Sequence, residues 1–157
     1  MTLLLVRRAT AAAVALALLA APTQRALAAS CYATADIEAQ EAMLYQTRLM
    51  VLSDTCGGDV YRDFTVRNRD SIVAYQRQLM DHYRRTGSHS PAATLDSYLT
   101  RIANETSLSN GREQAQALCD HSVSFLTEAK TINNAQFRER VAQLAAANAR
   151  SYRRCAK

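Results

Sequence analysis

The chain has 157 residues, of which 48% are apolar and 21% charged, and a formal net charge of +5 with a pI near 9.3. Three of its cationic residues lie in an acid-free, apolar leader, so the composition excludes a disordered tail and a strongly cationic nucleic-acid binder. No other stretch is apolar enough to be read as a transmembrane segment.

Residues 1–28 hold 20 apolar residues, no acid and three arginines. Arg7-Arg8, the Ala/Leu run 9–21 and Ala26-Leu27-Ala28 follow the basic, apolar and small-residue order of a secretory signal peptide. Two other export routes fit less well. The residues after Arg7-Arg8 are not the apolar ones of a twin-arginine signal, and Ala28 stands where a lipobox ending at Cys31 would have Leu. The expected product is a periplasmic or secreted single domain, residues 29–157, with 129 residues and a net charge of +2.

Apolar residues then recur at helical spacing between start and stop signals. Thr34 is expected to cap a first helix carrying Ile37, Met43, Leu44, Val51 and Leu52, ended by Gly57-Gly58. Asp59 opens a second with Phe64, Ile72, Tyr75, Leu79 and Tyr83, ending at Gly87. Ser90-Pro91 starts a third with Leu95, Tyr98, Leu99 and Ile102, since proline suits the first helical position. Asn110 with Glu113 reads as a capping box for a fourth carrying Leu118, Ser122, Phe125 and Ala129. Asn133 with Gln136 reads as another, flanked by Ile132 and Phe137, for a fifth carrying Val141, Leu144 and Tyr152. The fold class is therefore all-α, about five helices in an antiparallel up-down bundle.

Cys31, Cys56, Cys119 and Cys155 are too widely spaced for a Cys-x-x-Cys redox, haem or zinc pattern, and their even number in an exported chain reads as two disulfides. An unbroken first helix of ~20 residues would hold Cys31 and Cys56 about 30 Å apart, which excludes that pair. An up-down bundle slightly favours Cys31–Cys119 with Cys56–Cys155. The alternative, Cys31–Cys155 with Cys56–Cys119, needs the last helix to cross obliquely.

No nucleophile elbow, Gly-rich phosphate loop or Glu-x-x-His ligand pair is present. The sequence offers no catalytic residue, no metal ligand set and no cofactor. His82, His89 and His121 read as solvated or capping residues, Glu38 and Glu41 as solvated charges, and Arg101 with Glu105 as an i, i+4 ion pair. Tyr75, Tyr83 and Tyr98 fall on apolar stripes and read as core. The distinctive feature is the C-terminal end: Arg138, Arg140, Arg150, Arg153, Arg154 and Lys157 face Glu139 alone, a net of +5 over the last 20 residues against −3 for the rest of the domain. Such an end suits an anionic partner, either an acidic protein face or an anionic envelope surface. The reading favours a non-enzymatic binding or structural module of the periplasm or cell envelope. The alternative is a small hydrolase, or a ligand- or metal-binding bundle, with its site between helices.

Several segments carry a family resemblance: Cys31-Tyr32, Glu38-Ala39-Gln40-Glu41, Leu49-Met50-Val51-Leu52 before Thr55-Cys56, Tyr61 and Phe64, Arg84-Arg85-Thr86-Gly87, Arg101-Ile102-Ala103-Asn104-Glu105 before Ser107-Leu108, and Cys119. In these the chain resembles short exported bacterial all-helical four-cysteine proteins of unknown function. The resemblance implies export and a cysteine framework, and no activity. Some members of that group bear the label S-adenosylhomocysteine hydrolase. That chemistry needs a dinucleotide-binding βαβ unit with Gly-x-Gly-x-x-Gly, which is absent here.

Overall fold

A run of 23 residues without Gly or Pro, Thr34–Cys56, makes the longest helix, α1, and its apolar positions face three directions rather than one. Ala39, Ala42, Met43, Tyr45, Leu49 and Leu52 are all buried, which only a helix surrounded by others can achieve. The computed structural model describes residues 31–156. In them α1 is followed by α2 (Val60–Arg67), α3 (Arg69–Arg85), α4 (Pro91–Asn110), α5 (Ala115–Thr131), α6 (Asn134–Asn148) and a 3-10 turn, Ala149–Ser151. Helices α3, α4, α5 and α6 pack around α1. The leader reading and Lys157 fall outside the described residues. Among the described residues no helix is long and apolar enough to cross a membrane.

The all-α class is as expected, with six α-helices among the described residues where about five were read, because the second expected helix breaks at Asn68. Asn68 is fully buried and its Nδ2 donates to the carbonyls of Phe64 (3.0 Å) and Ile132 (3.1 Å). Beside it the Arg67 guanidinium donates to the carbonyls of Ala129, Lys130 and Ile132. Those are the carbonyls that the last turn of α5 leaves without helical partners. In return Asn134 Nδ2 donates to the Arg67 carbonyl, and its Oδ1 accepts from the Ser71 N–H. The α2–α3 break and the α5–α6 turn therefore cap each other in the middle of the bundle, around the ring cluster of Tyr45, Phe64, Phe125 and Phe137.

The Asn133–Gln136 capping box is present in full: Asn133 Oδ1 accepts from Ala135 N and Gln136 N, and Gln136 Oε1 from Asn133 N. The Asn110–Glu113 box is not. Glu113 N–H instead bonds the Asn110 carbonyl, and α5 begins two residues later, after Gln114. The last helix is also shorter than read. It stops at Asn148, and Tyr152 lies in extended chain beyond it.

The favoured disulfide pairing is overturned: the bridges are Cys31–Cys155 and Cys56–Cys119. The up-down assumption failed at the last helix. Phe137, near the start of α6, packs on Tyr45, and Asn148, at its end, bonds Glu41, one turn nearer the N-terminus of α1. Helix α6 thus crosses α1 obliquely toward the Cys31 end instead of returning to the Cys56 end.

Candidate functional site

The two bridges mark two ends of the bundle, and each end has a distinct polar construction. At the Cys31–Cys155 end the segments at Tyr32 and Arg154 are joined by a short parallel bridge. Tyr32 N–H donates to the Arg153 carbonyl (2.8 Å), and Cys155 N–H to that of Tyr32 (3.2 Å). This holds the Tyr32 ring stacked on His82 with centroids 4.4 Å apart, while Tyr152 meets Tyr32 edge-on.

Beneath the rings lies Asp36, in the first turn of α1 and 1% exposed. Its carboxylate accepts from Gln78 Nε2 (2.7 Å), Arg85 NH2 (2.7 Å) and the Ala33 N–H (3.0 Å), and His82 Nδ1 lies 3.2 Å away. An ionised carboxylate can only accept, so Nδ1 is the protonated ring nitrogen. Burial alone would push the Asp36 carboxyl up. The bonds from Arg85, Gln78 and Ala33, with the charge of His82, outweigh it and hold the group below its ordinary range. One turn on, buried Glu41 accepts from Tyr152 Oη (2.8 Å) and Asn148 Nδ2 (3.0 Å). Burial and the neighbouring Glu41 push the Tyr152 hydroxyl above its ordinary value.

An aspartate fixing the Nδ1 of a histidine is half of a nucleophile-activating arrangement. Here the histidine is 4% exposed under Tyr32, and Asp36 has donors on both oxygens. The cluster fastens α1, α3 and the segments carrying Tyr32 and Tyr152 together.

Sequence reading missed this cluster. His82 and Glu41 were expected in solvent and are buried. His89 and His121 are exposed as expected, His121 with Nδ1 3.7 Å from Glu113, and Arg101 pairs with Glu105 at 3.0 Å. Asp36 did carry a signal, since an acid in the first turn of a helix is a capping position. Nothing in the spacing tied it to residues more than forty positions away.

The basic C-terminal residues do not form one helical face. Arg138 donates to Ser71 Oγ (3.0 Å), and Arg140 grips Glu128 with two bonds of 2.6 Å. Arg150, Arg153 and Arg154 are exposed in the turn and extended chain beyond α6. The bridge at Tyr32 brings the backbone of residues 153–155 beside the Tyr32–His82 stack, near the end of α3, where Arg84 pairs with Asp81 and Arg85 donates to Asp36. The acids there are committed inward or paired: Asp36 and Glu41 are buried, and Asp81 pairs with Arg84.

At the Cys56–Cys119 end, Gly57 and Gly58 take φ of 80° and 95°, which only glycine adopts without strain, and reverse the chain between α1 and α2. Buried Ser53 fixes this reversal, donating to the Gly58 carbonyl and accepting from Tyr61 N–H. Between the reversal and the α4–α5 loop lies an open cleft of about 870 Å³. Met50, Tyr61, Ala103 and Leu118 supply apolar lining, and Asp54, Asp59, Arg62 and Glu113 the charges.

Compared with protein-family models, with curated proteins and with solved structures, the chain matches none.

Proposed function

We propose that the chain is an exported, non-enzymatic binding module of the cell envelope that meets an anionic surface through its arginine-bearing end. The observation that carries this reading is the exposure of Arg150, Arg153 and Arg154 in the chain that the Tyr32 bridge holds beside α3. Arg84, Arg85, Arg138 and Arg140 stand apart from the contact because they hold Asp81, Asp36, Ser71 and Glu128. Lys157 belongs to the same basic run in sequence and lies outside the described residues. Export is supported by the leader pattern of residues 1–28 and agrees with two disulfides, which persist in oxidising compartments. The likeness to short exported four-cysteine helical proteins points the same way.

Flotation of the mature protein with phosphatidylglycerol vesicles tests the contact. Binding should weaken as salt rises past ~0.15 M, where the screening length is already about 8 Å. Changing Arg150, Arg153 and Arg154 together to Gln should abolish it with little change in melting temperature. Binding that ignores both salt and the triple change would overturn the assignment.

A further inference from the structure

The two disulfides differ in where their sulfurs stand. Cys56 and Cys119 both belong to helices, the last residue of α1 and the second turn of α5, and both are half-buried. Cys31 and Cys155 lie outside any helix. Cys31 precedes α1, and Cys155 is exposed in the chain beyond the 3-10 turn. The rate of thiol–disulfide exchange depends on access to the sulfur attacked, and an exposed bridge is the labile kind.

Charge points the same way, because the attacking species is a thiolate, an anion. Exposed Arg153 and Arg154 directly precede Cys155. The carboxylates at that end are withdrawn: Asp36 and Glu41 are buried, and Asp81 pairs with Arg84. At the other bridge exposed Asp120 directly follows Cys119, and exposed Asp54 lies two residues before Cys56. The cationic groups near it are already faced by acids, His121 by Glu113 and Arg62 by Asp59. A thiolate is therefore drawn to the first bridge and repelled from the second.

What the exposed bridge holds is local. Without it, residues 152–156 keep two backbone hydrogen bonds to Tyr32 and the bond from Tyr152 to Glu41. The apolar cluster that joins the helices takes no residue after Leu144, and Tyr32 is not part of it. Tyr32 in turn is what covers His82, which is 4% exposed.

We propose that Cys155 Sγ is the sulfur at which thiol exchange begins, and that the Cys31–Cys155 bridge is a redox-operated clasp over His82. The reductant is a dithiol. Its first thiolate attacks Cys155 Sγ, forming a mixed disulfide there and expelling Cys31 as a thiolate, which takes up a proton. Its second thiol then attacks the reductant's own sulfur in that mixed disulfide. This releases Cys155 as a thiol and leaves the reductant as an intramolecular disulfide. Two electrons and two protons pass from the dithiol to the two cysteines. The Cys56–Cys119 bridge and the apolar cluster keep the domain folded, while residues 152–156 detach and Tyr32 uncovers His82. The inference does not rest on the anionic-surface reading, since none of its readouts is binding to a surface.

Stepwise reduction of the oxidised mature protein with dithiothreitol, then alkylation and peptide mapping, tests the order. A two-thiol species labelled at Cys31 and Cys155 should appear before any label reaches Cys56 or Cys119, and its far-ultraviolet spectrum should stay helical. Diethyl pyrocarbonate should modify exposed His89 and His121 in the oxidised protein, and His82 as well in the two-thiol species. Among monothiols, anionic 2-mercaptoethanesulfonate should form its first adduct on Cys155. Arg153→Gln with Arg154→Gln should slow that reaction at least about two-fold at low salt, and should not slow cationic cysteamine. The clasp is overturned if Cys56–Cys119 opens first or together with it, if the two-thiol species loses its helices, or if His82 stays protected in that species. A first adduct on Cys31, or a sulfonate rate indifferent to the double change, overturns the assignment of Cys155.

Discussion

Replacing Asp36 by Ala should be among the most damaging single changes to a polar residue. The carboxylate is 1% exposed and serves four groups, but these would respond differently to its loss. The Arg85 side chain is 52% exposed and can return its guanidinium to water, and half-buried Gln78 can do so in part. His82 cannot, because Tyr32 covers it. Hydrogen bonds to charged groups contribute about 1.5–3 kcal/mol each. With only the His82 ring nitrogen stranded, the expected cost is about 3 kcal/mol, at the top of that range. For a domain of this size this lowers Tm by about 10 °C. Asp36→Asn keeps one acceptor and should cost roughly half. Arg85→Ala should cost no more than about 1 kcal/mol, as for an exposed partner. Urea unfolding of the oxidised proteins at neutral pH measures this as a shift in midpoint at unchanged m. An Asp36→Ala cost below about 1 kcal/mol, or equal to that of Arg85→Ala, would refute the view that buried Asp36 organises this end.

The same group makes stability depend on acid. Because its folded value is depressed, its contribution is complete above the ordinary value of 3.8 and is lost as pH falls below it, so Asp36→Asn should flatten the acid limb of a Tm-against-pH curve. Burial raises the hydroxyls of Tyr45, Tyr75, Tyr83, Tyr98 and Tyr152 above 10, so near-ultraviolet absorbance should show these five ionising only well above that pH, in step with unfolding. A raised value means their share of stability is complete below pH 10 and lost above it. Proteolytic mapping without reduction should recover Cys31 with Cys155 and Cys56 with Cys119. Cys31→Ser with Cys155→Ser should cost about 5 kcal/mol by loop entropy, against about 4 for the other pair, read as a shift in urea midpoint.

Periodicity located the helices because a helix signals its burial locally. Pro91 and the Asn133–Gln136 box set two starts correctly. What failed was decided by partners distant in sequence. Asn68 breaks an otherwise continuous apolar stripe because a carbonyl from residue 132 needs its amide, and no local pattern encodes that demand. The disulfide pairing failed for the same reason: connectivity followed from the direction of α6, and that direction is set by Phe137 on Tyr45 and Asn148 on Glu41. The Asp36 cluster was invisible because its members come from the starts and ends of different helices. The Cys56 end was legible only as a Gly-Gly stop, although that stop shapes one wall of the cleft.

The two bridges sit where the apolar core does least. Residues 152–156 form no helix and are mostly exposed, yet they hold Tyr32 over His82 and carry Arg153 and Arg154. The 57–59 reversal is likewise exposed, and it forms one wall of the cleft. At both places the covalent link substitutes for packing that the apolar core does not supply. A contact surface built on such segments would otherwise have to be ordered on binding, at about 0.5–1.5 kcal/mol for each immobilised side chain. Bridging the ends in advance removes much of that cost. This is why the cysteines belong to the binding argument as much as to stability: the core rings of Tyr45, Phe64 and Phe137 fix the helices, and the cysteines fix the surfaces the helices carry.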